Sequence, residues 1–444
     1  MMREPAFSLL RPPAPFALRG KRVLVLGLGD TGVSVARWVA HEGGAVRVAD
    51  TRAAPPRQAD FGGELHTGRF KPSLLADVDL ICVSPGVPLA DPLIQEAMEE
   101  DIPVAGDVEL FAWHNRAPVL AITGTNGKST VTALAGHLLR SAGVDAEVAG
   151  NISPPVLTAF LSREKSPAVW VLELSSYQLE TTWSLAPHAA TMLNLSEDHF
   201  DRYLGLADYA LAKARVFQGE GVQVLNRDDA RSMAMALPGR KVLTFGSGGD
   251  FGFANGNLVH GKQKIAAASD LQIHGAHNVA NALAACALVS SFDIPAERIS
   301  HGLKTFKGLP HRLELVCTRR GVEWYDDSKG TNVGATIAAL RGLGRRTVLI
   351  LGGDGKGQDF EPLSDPVSRY ASKVLLIGRD APLIAKAVPG ERCESLEQAV
   401  HRAAELANPG EAVLLSPACA SFDMFRDYKH RGEAFAAAVK ALAP

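Results

Sequence analysis

The stretch VLAITGTNGKST, Val119 to Thr130, decides how the rest of the chain is read. Apolar, β-forming residues run into a glycine turn, and the turn opens on VTALAGHLLRSAG, whose apolar spacing is that of a helix. A strand, a glycine loop and a helix N-terminus in that order aim successive backbone N–H groups at one point, where a phosphate is held. Gly127-Lys128-Ser129 supplies the lysine and hydroxyl that an ATP-binding loop needs, but position 122, where the common G-x-x-x-x-G-K-[ST] spacing puts a glycine, is Ile. Gly124, three residues before Gly127, could provide the same turn. The candidate phosphate-binding residues are therefore Gly124, Thr125, Asn126, Gly127, Lys128, Ser129 and Thr130.

Two other apolar runs end in glycine turns, VLVLGLGDTG (Val23 to Gly32) and VLILGGDGKG (Val348 to Gly357). Each predicts a strand, a turn and a helix, and continuous apolar runs of this kind are what parallel strands buried on both faces look like. Further buried-strand candidates are Leu80 to Ser84, Val169 to Leu174, Ala190 to Leu195, Val374 to Gly378 and Ala412 to Ser416. At 444 residues the chain is about three typical domains long. The expected fold class is α/β in three domains, 1–106, 107–308 and 309–444, with boundaries near Ala105 to Val108 and Gly308 to His311. The irregular spacing of the three units argues against a solenoid. The proline-rich residues 11 to 15 read as a mobile lead-in.

Composition narrows the function. The 46 Lys and Arg against 48 Asp and Glu give a formal charge of -2, which argues against nucleic-acid or anionic-membrane partners while allowing a local basic pocket. The five cysteines, Cys82, Cys286, Cys317, Cys393 and Cys419, are scattered, with neither a disulfide framework nor zinc spacing. No run of about 18 apolar residues could span a bilayer, and the first 20 residues lack an uninterrupted apolar core of a signal peptide. These features predict a soluble cytoplasmic protein with reduced thiols.

Gly27-Leu28-Gly29-Asp30-Thr31-Gly32 follows a strand, opens a helix and is succeeded by Asp50 at the end of AVRVAD. That is the dinucleotide fingerprint, with two glycines for a tight turn near a pyrophosphate, a third for helix packing and a carboxylate for ribose hydroxyls. Three readings stay open for it: an NAD site, a site for another nucleotide diphosphate, and a turn that binds nothing. Glu173 ends the apolar VWVLE, where a carboxylate either holds Mg2+ or caps the strand. His199, in NLSEDHFDR, lies in the same layer, although a lone loop histidine is more often a surface residue. In LADYALAKARVF, Leu206, Tyr209, Ala210 and Phe217 form an apolar helical stripe, and Lys213 lies on it. A lysine there either snorkels to water, the commoner outcome, or has its amine neutralised by burial.

These motifs together resemble the Mur ligase family, and within it the branch that adds D-glutamate. The resemblance covers nearly the whole chain: GTNGKST, Gly150-Asn151-Ile152, ELSSYQLE (Glu173 to Glu180), NLSEDHFDRY, Lys213, GAHNVANALAA, GLPHRLE, DDSKGTN (Asp326 to Asn332), GGDGKG and SPACASFDMF (Ser416 to Phe425). It implies a Rossmann-like N-terminal domain for a UDP-substrate, a central P-loop ATPase-like mononucleotide-binding domain for ATP, and a C-terminal Rossmann-like domain for D-glutamate. The short G-T-N-G-K-[ST] loop is the family's own form.

By the same resemblance Lys128 contacts the phosphates, Ser129 and Glu173 hold one Mg2+, and His199 and Lys213 serve a second, with Lys213 as a carbamate formed from CO2. Lys128, Glu173, His199, Lys213 and Arg312 are the implied catalytic group. Asn278 and Asn281 would touch the nucleotide, Arg312 the γ-phosphate and Asp327 the ribose. Gly29, Asp30, Thr31, Gly32, Asp50, Thr51 and Arg52, with Ser84 and Gly86, would hold UDP, and Asn151 and Ser175 the rest of that substrate. Lys329, Thr331, Lys356, Ser421, Phe422 and Tyr428 would bind D-glutamate, whose two carboxylates call for cations and hydroxyls. Two residues depart from the family pattern: Gly330 stands where Ala is usual, and Tyr428 where Phe is common.

The implied reaction is ATP-driven addition of D-glutamate to UDP-N-acetylmuramoyl-L-alanine through an acyl phosphate, by a monomer without nucleic-acid or membrane partners. The rival readings are another ligase of the family, a folylpolyglutamate synthetase-like ligase, a silent UDP-sugar sensor, and an NAD-dependent oxidoreductase. The oxidoreductase would leave the second glycine loop idle. The sensor would have no use for Lys128, Glu173, His199 and Lys213 together.

Overall fold

A computed structural model of the chain describes residue 11 and residues 14–199, 202–273 and 275–442. Residues 12 and 13 of the proline-rich lead-in, and Phe200 and Asp201 of NLSEDHFDR, lie outside the described residues.

Three sheets organise the described residues. The first comprises β1 (Arg22–Leu26), β2 (Ala45–Asp50), β3 (Glu64–Thr67), β4 (Leu80–Val83) and β5 (Val104–Ala105), in the order β3-β2-β1-β4-β5. All its pairings are parallel. The order reverses at β1, so the crevice that parallel sheets open at such a point lies at the first glycine loop.

The central sheet holds β6 (Val119–Thr123), β7 (Ala146–Gly150), β8 (Val169–Glu173), β9 (Ala189–Met192), β10 (Val222–Asn226), β11 (Val242–Phe245), β12 (Phe251–Ala254), β13 (Asn257–His260) and β14 (Gln263–Ala267). Its order is β14-β13-β12-β11-β10-β9-β6-β8-β7. The reversal is at β6, which pairs in parallel with β8 on one side and β9 on the other. The register sets Ile122 against Glu173 and Thr123 against Met192, so the segments leaving β6, β8 and β9 emerge side by side. Gly150 pairs with Glu173 in turn, which brings Asn151 to the same edge.

The third sheet contains β15 (Glu314–Arg319), β16 (Val322–Asp326), β17 (Thr347–Gly352), β18 (Ala371–Ile377), β19 (Glu391–Arg392) and β20 (Ala412–Leu415), ordered β15-β16-β20-β17-β18-β19. The pairings are parallel except β15 with β16. Lys329, Ser421 and Lys356 follow β16, β20 and β17, and so share one edge.

The first two expected strand–turn–helix units are present, as β1 to the helix Asp30–His41 and β6 to the helix Lys128–Ser141. The third differs. After β17 the chain runs through residues 353–360 before the short turn Glu361–Leu363 and the helix Ser364–Tyr370. GGDGKGQDFEP offers glycines, acids and a proline in place of helix formers, so the helix starts late. β12 to β14, two antiparallel hairpin pairings that extend the central sheet, are not among the expected strands.

The core is not divided as the loops are. One apolar cluster includes Val25, Val35 and Trp38 of the first sheet's layer together with Val108, Phe111, Ala121 and Trp170 of the central one. Trp38 meets Phe160 edge-on with ring centroids 5.3 Å apart, and Phe111 meets Trp170 in the same way at 5.1 Å. The expected boundary at 106/107 falls between β5 and the helix Asp107–His114, within this cluster. By contrast, the clusters of the third sheet contain residues from Leu313 onward and none from the other two. Among the described residues no helix is long and apolar enough to cross a membrane.

Ile122 is fully buried within β6, so the departure from the common loop spacing is a core residue and not a defect in the loop. Ile122→Gly, which restores that spacing, is expected to destabilise the protein by about 4 kcal/mol through the cavity and the freed backbone. The denaturant midpoint measures it, and an unchanged midpoint contradicts the assignment.

Candidate active site

The phosphate loop is the four residues between β6 and the helix Lys128–Ser141. Gly127 sits at φ 85°, and a Cβ there would come 2.4 Å from Asn281 Oδ1, so neither backbone nor space admits a side chain. The loop is braced from β9's far end. Asn194 Oδ1 accepts from Asn126 N at 2.8 Å and its Nδ2 donates to Asn126 O at 3.0 Å, while Thr125 Oγ1 accepts from Ser196 N at 3.1 Å. Lys128 curls over the loop, donating from Nζ to the carbonyls of Gly124 (2.8 Å) and Thr125 (2.9 Å). Burial lowers its pKa, Glu173 and Asp198 pull it up, and Arg312 pushes it down. Those charges therefore lie within reach of the loop.

Glu173 is buried at the end of β8. Its Oε1 accepts from Asn151 Nδ2 at 2.6 Å, whereas Oε2 is buried with no hydrogen-bond partner. A buried, unsatisfied carboxylate oxygen is expensive unless a cation completes it. Lys213, on the helix Leu206–Ala214, is 1% exposed, so it does not snorkel. Its Nζ reaches Gly124 O (3.0 Å) and Thr123 Oγ1 (3.3 Å) and lies 4.6 Å from the Tyr209 ring centre. Burial, then the like charge of Lys128, takes its pKa well below the ordinary lysine value. His199 stands in the left-handed region, φ 59°, with Nδ1 2.8 Å from Tyr177 Oη. Burial lowers its pKa too, with Asp198 opposing and Lys356, Lys128 and Lys213 adding.

The third unit closes on this edge. Arg312 donates from Nη2 to Ser129 Oγ at 2.6 Å, and Asn332 Nδ2 lies 3.2 Å from both Asn126 Oδ1 and Asp198 Oδ2. Asn278 and Arg312 help line a cleft of about 660 Å³ between the central and third sheets, and Asn281 Nδ2 holds Asn278 Oδ1 at 3.1 Å. Asp327 is committed within the third unit, accepting from Ser416 Oγ (2.7 Å) and Leu313 N (3.2 Å), and burial pushes its pKa up to about 7. A Cβ at Gly330 would fall 2.7 Å from Asp327 Oδ2 and 2.8 Å from Ser416 Oγ, which gives this chain's Gly330 a steric reason.

The residues expected to meet an amino acid gather after β16, β17 and β20. Lys329 Nζ lies 3.9 Å over the Tyr428 ring, and burial with Arg312's charge lowers its pKa to about 8. Thr331 follows it, Lys356 stands at φ 51°, Ser421 is buried and Phe422 is exposed. Ser175 caps the helix Ser176–Glu180 in a capping box with Gln178.

At the first glycine loop, a Cβ on Gly32 would stand 1.9 Å from Gly27 O, as the helix-packing role requires, while Gly29 and Gly86 face open space. Ser84 Oγ donates to Gly27 O at 2.9 Å. Both oxygens of buried Asp50 are engaged, by Leu28 N (2.7 Å) and by the backbone and guanidinium of Arg52. Burial opposes its charge, but those hydrogen bonds outweigh it and leave the pKa below the usual carboxylate range. Asp50 thus braces the loop and Arg52 from within. Asp30 pairs with Arg57 at 3.2 Å, Thr31 lies in the first turn of the helix Asp30–His41, and Thr51 follows β2.

Asn194, Asp198, Asn332, Tyr177 and Arg202 were not singled out by the sequence reading. All lie inside the motifs quoted for it, and Asn194, like Glu173, is a polar residue where a buried apolar strand ends. A further one, His311, sits in the left-handed region beside Arg312 with its Nδ1 2.6 Å from Asp326 Oδ2. That hydrogen bond raises its pKa against the effect of burial. A raised histidine contributes fully below its ordinary value of about 6.5, and the contribution fades as pH rises through the raised value. His311→Gln is expected to lose about 1.5 kcal/mol at pH 6 and much less at pH 9. Thermal melts at the two pH values read it, and equal losses would contradict it.

Family models match along the chain: Mur ligase MurD-like, N-terminal domain, over residues 21–106; Mur ligase middle domain over 122–289; and Mur ligase, glutamate ligase domain, over 311–419. A protein of Thiobacillus denitrificans named UDP-N-acetylmuramoylalanine–D-glutamate ligase is 53% identical, over 96% of this chain and 97% of its own. One of the same name from Methylobacillus flagellatus is 52% identical over 96% and 98%. Among solved structures, the UDP-N-acetylmuramate-alanine ligase MurC of Thermotoga maritima superposes with a TM-score of 0.61 at 18% identity, over 95% of this chain and 99% of that one. MurF of Acinetobacter baumannii also gives 0.61 at 18%, over 95% and 91%. At that identity the likeness concerns the fold.

Proposed function

The chain belongs to the Mur ligase family, and from that premise we propose that it is an ATP-dependent ligase joining D-glutamate to UDP-N-acetylmuramoyl-L-alanine in peptidoglycan synthesis. One observation carries the chemistry: the phosphate loop, the unsatisfied Glu173 Oε2, His199 and buried Lys213 meet at one edge of the central sheet, with Arg312 arriving from the third.

The substrate's alanine carboxylate attacks the γ-phosphorus of ATP, forming a C–O–P acyl phosphate as ADP leaves. The D-glutamate amine then attacks that carbonyl, loses a proton, and inorganic phosphate departs with the C–O bond electrons. The loop N–H groups of residues 124–130 and Lys128 hold the phosphates, and Arg312 offsets charge on the transferring group. The cleft at Asn278 and Asn281 would take the nucleoside, with Asp327 at its edge. Lys329, Thr331, Lys356, Ser421, Phe422 and Tyr428 would orient D-glutamate, so that reaction gains from positioning two substrates at one point.

The residues also fit magnesium. Ser129, Glu173, His199 and Lys213 would hold it, the orphaned Oε2 being a ready oxygen ligand. When bound, the ions would draw charge from the phosphate oxygens. Lys213 hydrogen-bonds a carbonyl and a hydroxyl, and burial, which lowers its pKa, favours the neutral amine that CO2 would need. As a carbamate it would offer oxygens in place of a cation. Gly29, Asp30, Thr31, Gly32, Asp50, Thr51, Arg52, Ser84 and Gly86 would form the UDP handle, the open faces of Gly29 and Gly86 leaving room for it, with Asn151 and Ser175 beyond. Candidate residues for every ligand lie on this one chain, which supports a monomer working in the cytoplasm where ATP is available.

Phosphate release with ATP, Mg2+ and UDP-N-acetylmuramoyl-L-alanine, supplied with one amino acid at a time, tests the assignment. D-glutamate is expected to give the turnover; no more with D-glutamate than with L-alanine or diaminopimelate would refute it.

A further inference from the structure

We propose that Tyr177 and Arg202 are positioning residues that couple occupancy of the Ser84–Val87 turn, on the first sheet, to the orientation of His199 on the central one. The inference rests on the reading above of His199 as a metal ligand and of that turn as part of the UDP-substrate site.

The connection can be followed atom by atom. Val87 N closes the turn onto Ser84 O at 2.9 Å, and Ser84 Oγ ties it to the carbonyl of Gly27 in the first glycine loop. The turn's carbonyls face the central unit, where Arg202 Nη1 donates to Val87 O at 3.0 Å and to Pro85 O at 3.4 Å. The other arm of that guanidinium donates from Nη2 to Glu180 Oε2 at 2.5 Å, and both side chains are largely buried. Its plane also covers Tyr177, with Cζ 4.6 Å from the ring centre. Tyr177 and Glu180 share the short helix Ser176–Glu180, so Arg202 grips one element of the central unit twice while holding two carbonyls of the first. Only a planar, multiply donating group makes all these contacts at once.

Tyr177 passes the constraint on. Its hydroxyl lies 2.8 Å from His199 Nδ1, and the two rings are 5.0 Å apart and tilted. Tyr203 stacks on Tyr177 and packs against Tyr209, whose ring carries Lys213, so the ring has little room to slide. For His199 to offer a lone pair at Nε2, Nδ1 must carry the proton and donate it to the tyrosine oxygen. Outer partners of this kind fix both ring rotation and tautomer in metal-binding histidines. A ligand pressing on the Ser84–Val87 turn therefore reaches His199 through two carbonyls, one guanidinium and one phenol.

The test is the affinity for Mn2+, standing in for Mg2+, by electron paramagnetic resonance in the presence of a non-hydrolysable ATP analogue. It is measured with and without UDP-N-acetylmuramoyl-L-alanine, so that no turnover is required. In the wild type the UDP-substrate is expected to tighten Mn2+ at least about fivefold, and by reciprocity Mn2+ tightens the UDP-substrate by the same factor. Tyr177→Phe, which keeps the ring, is expected to weaken Mn2+ about tenfold and to remove that mutual tightening. Its affinity for the UDP-substrate without metal stays at the wild-type value, which damage to the fold would not allow. Arg202→Lys, which keeps the charge, is expected to lose the tightening as well. Wild-type tightening in both variants overturns the relay and leaves the ligase reading standing. A wild type that binds no Mn2+ beside the ATP analogue overturns the metal reading, and the relay with it.

Discussion

Arg312→Ala is expected to slow ATP-driven phosphate release by about a thousandfold or more, while the affinity for the UDP-substrate changes only a few-fold. The size follows from the position of the side chain. It springs from the segment joining the central and third units, flanked by His311 and Leu313 in left-handed conformations, and reaches Ser129 Oγ across the cleft at 2.6 Å. An arginine that meets a transferring phosphoryl group from a second unit contributes on the order of 10³ to 10⁵ in rate. Arg312→Lys restores the charge but not the planar fork, so it is expected to recover only part of the loss. Steady-state phosphate release, with substrate affinity measured separately by calorimetry, separates the two effects. A loss below tenfold in Arg312→Ala would remove the residue from the chemistry.

The second large effect belongs to Glu173→Gln. The variant keeps the shape and the Oε1 contact to Asn151 Nδ2, and it takes away the charge at the unsatisfied Oε2. Activity is expected to fall by about 10² to 10³, the scale on which a single misplaced electrostatic group acts in a closed site. Stability is expected to move the other way or not at all, since an unpartnered buried carboxylate is costly to fold around. A variant with undiminished turnover and the same Mg2+ dependence would show that Glu173 only ends a strand.

Much of this site could be read from residues alone because its parts follow a repeating rule. Gly27, Gly124, Glu173 and Lys356 each stand at or soon after the end of an apolar strand, and within each sheet parallel pairing brings such positions to one edge. Lys213 was legible as an anomaly, a cation on an apolar stripe, but its choice between snorkelling and burial was not. That depends on the β6 turn closing over the amine, a contact 89 residues away in sequence. Asp50 is legible only in part. Its fingerprint position marks a candidate ligand contact, but the hydrogen bonds of both its oxygens to Leu28 and Arg52 could not be read from that position. Tyr177 and His311 lie inside quoted motifs, but nothing in the motifs marks their roles, because their partners come from other elements. The β12–β14 extension went unread although Asn255-Gly256, both in left-handed conformations, joins its first two strands in the pairing usual for tight hairpins.

The apolar cluster that runs through Trp38, Phe111 and Trp170 has a consequence for how the chain can be cut and rejoined. The first two units share it, so exchanging residues 1–106 with a relative would splice two half-interfaces whose side chains had never been fitted to each other. Across residue 308 the hydrogen bonds are Arg312 on Ser129 and Asn332 on Asn126 and Asp198, and the helix Ala276–Val289 meets the helix Val333–Leu343 at His277 and Gly342, without a shared apolar cluster. Recombination is therefore expected to be better tolerated at the second junction than at the first. The third unit is then expected to be the exchangeable part of this ligase, and the first two to travel as a pair.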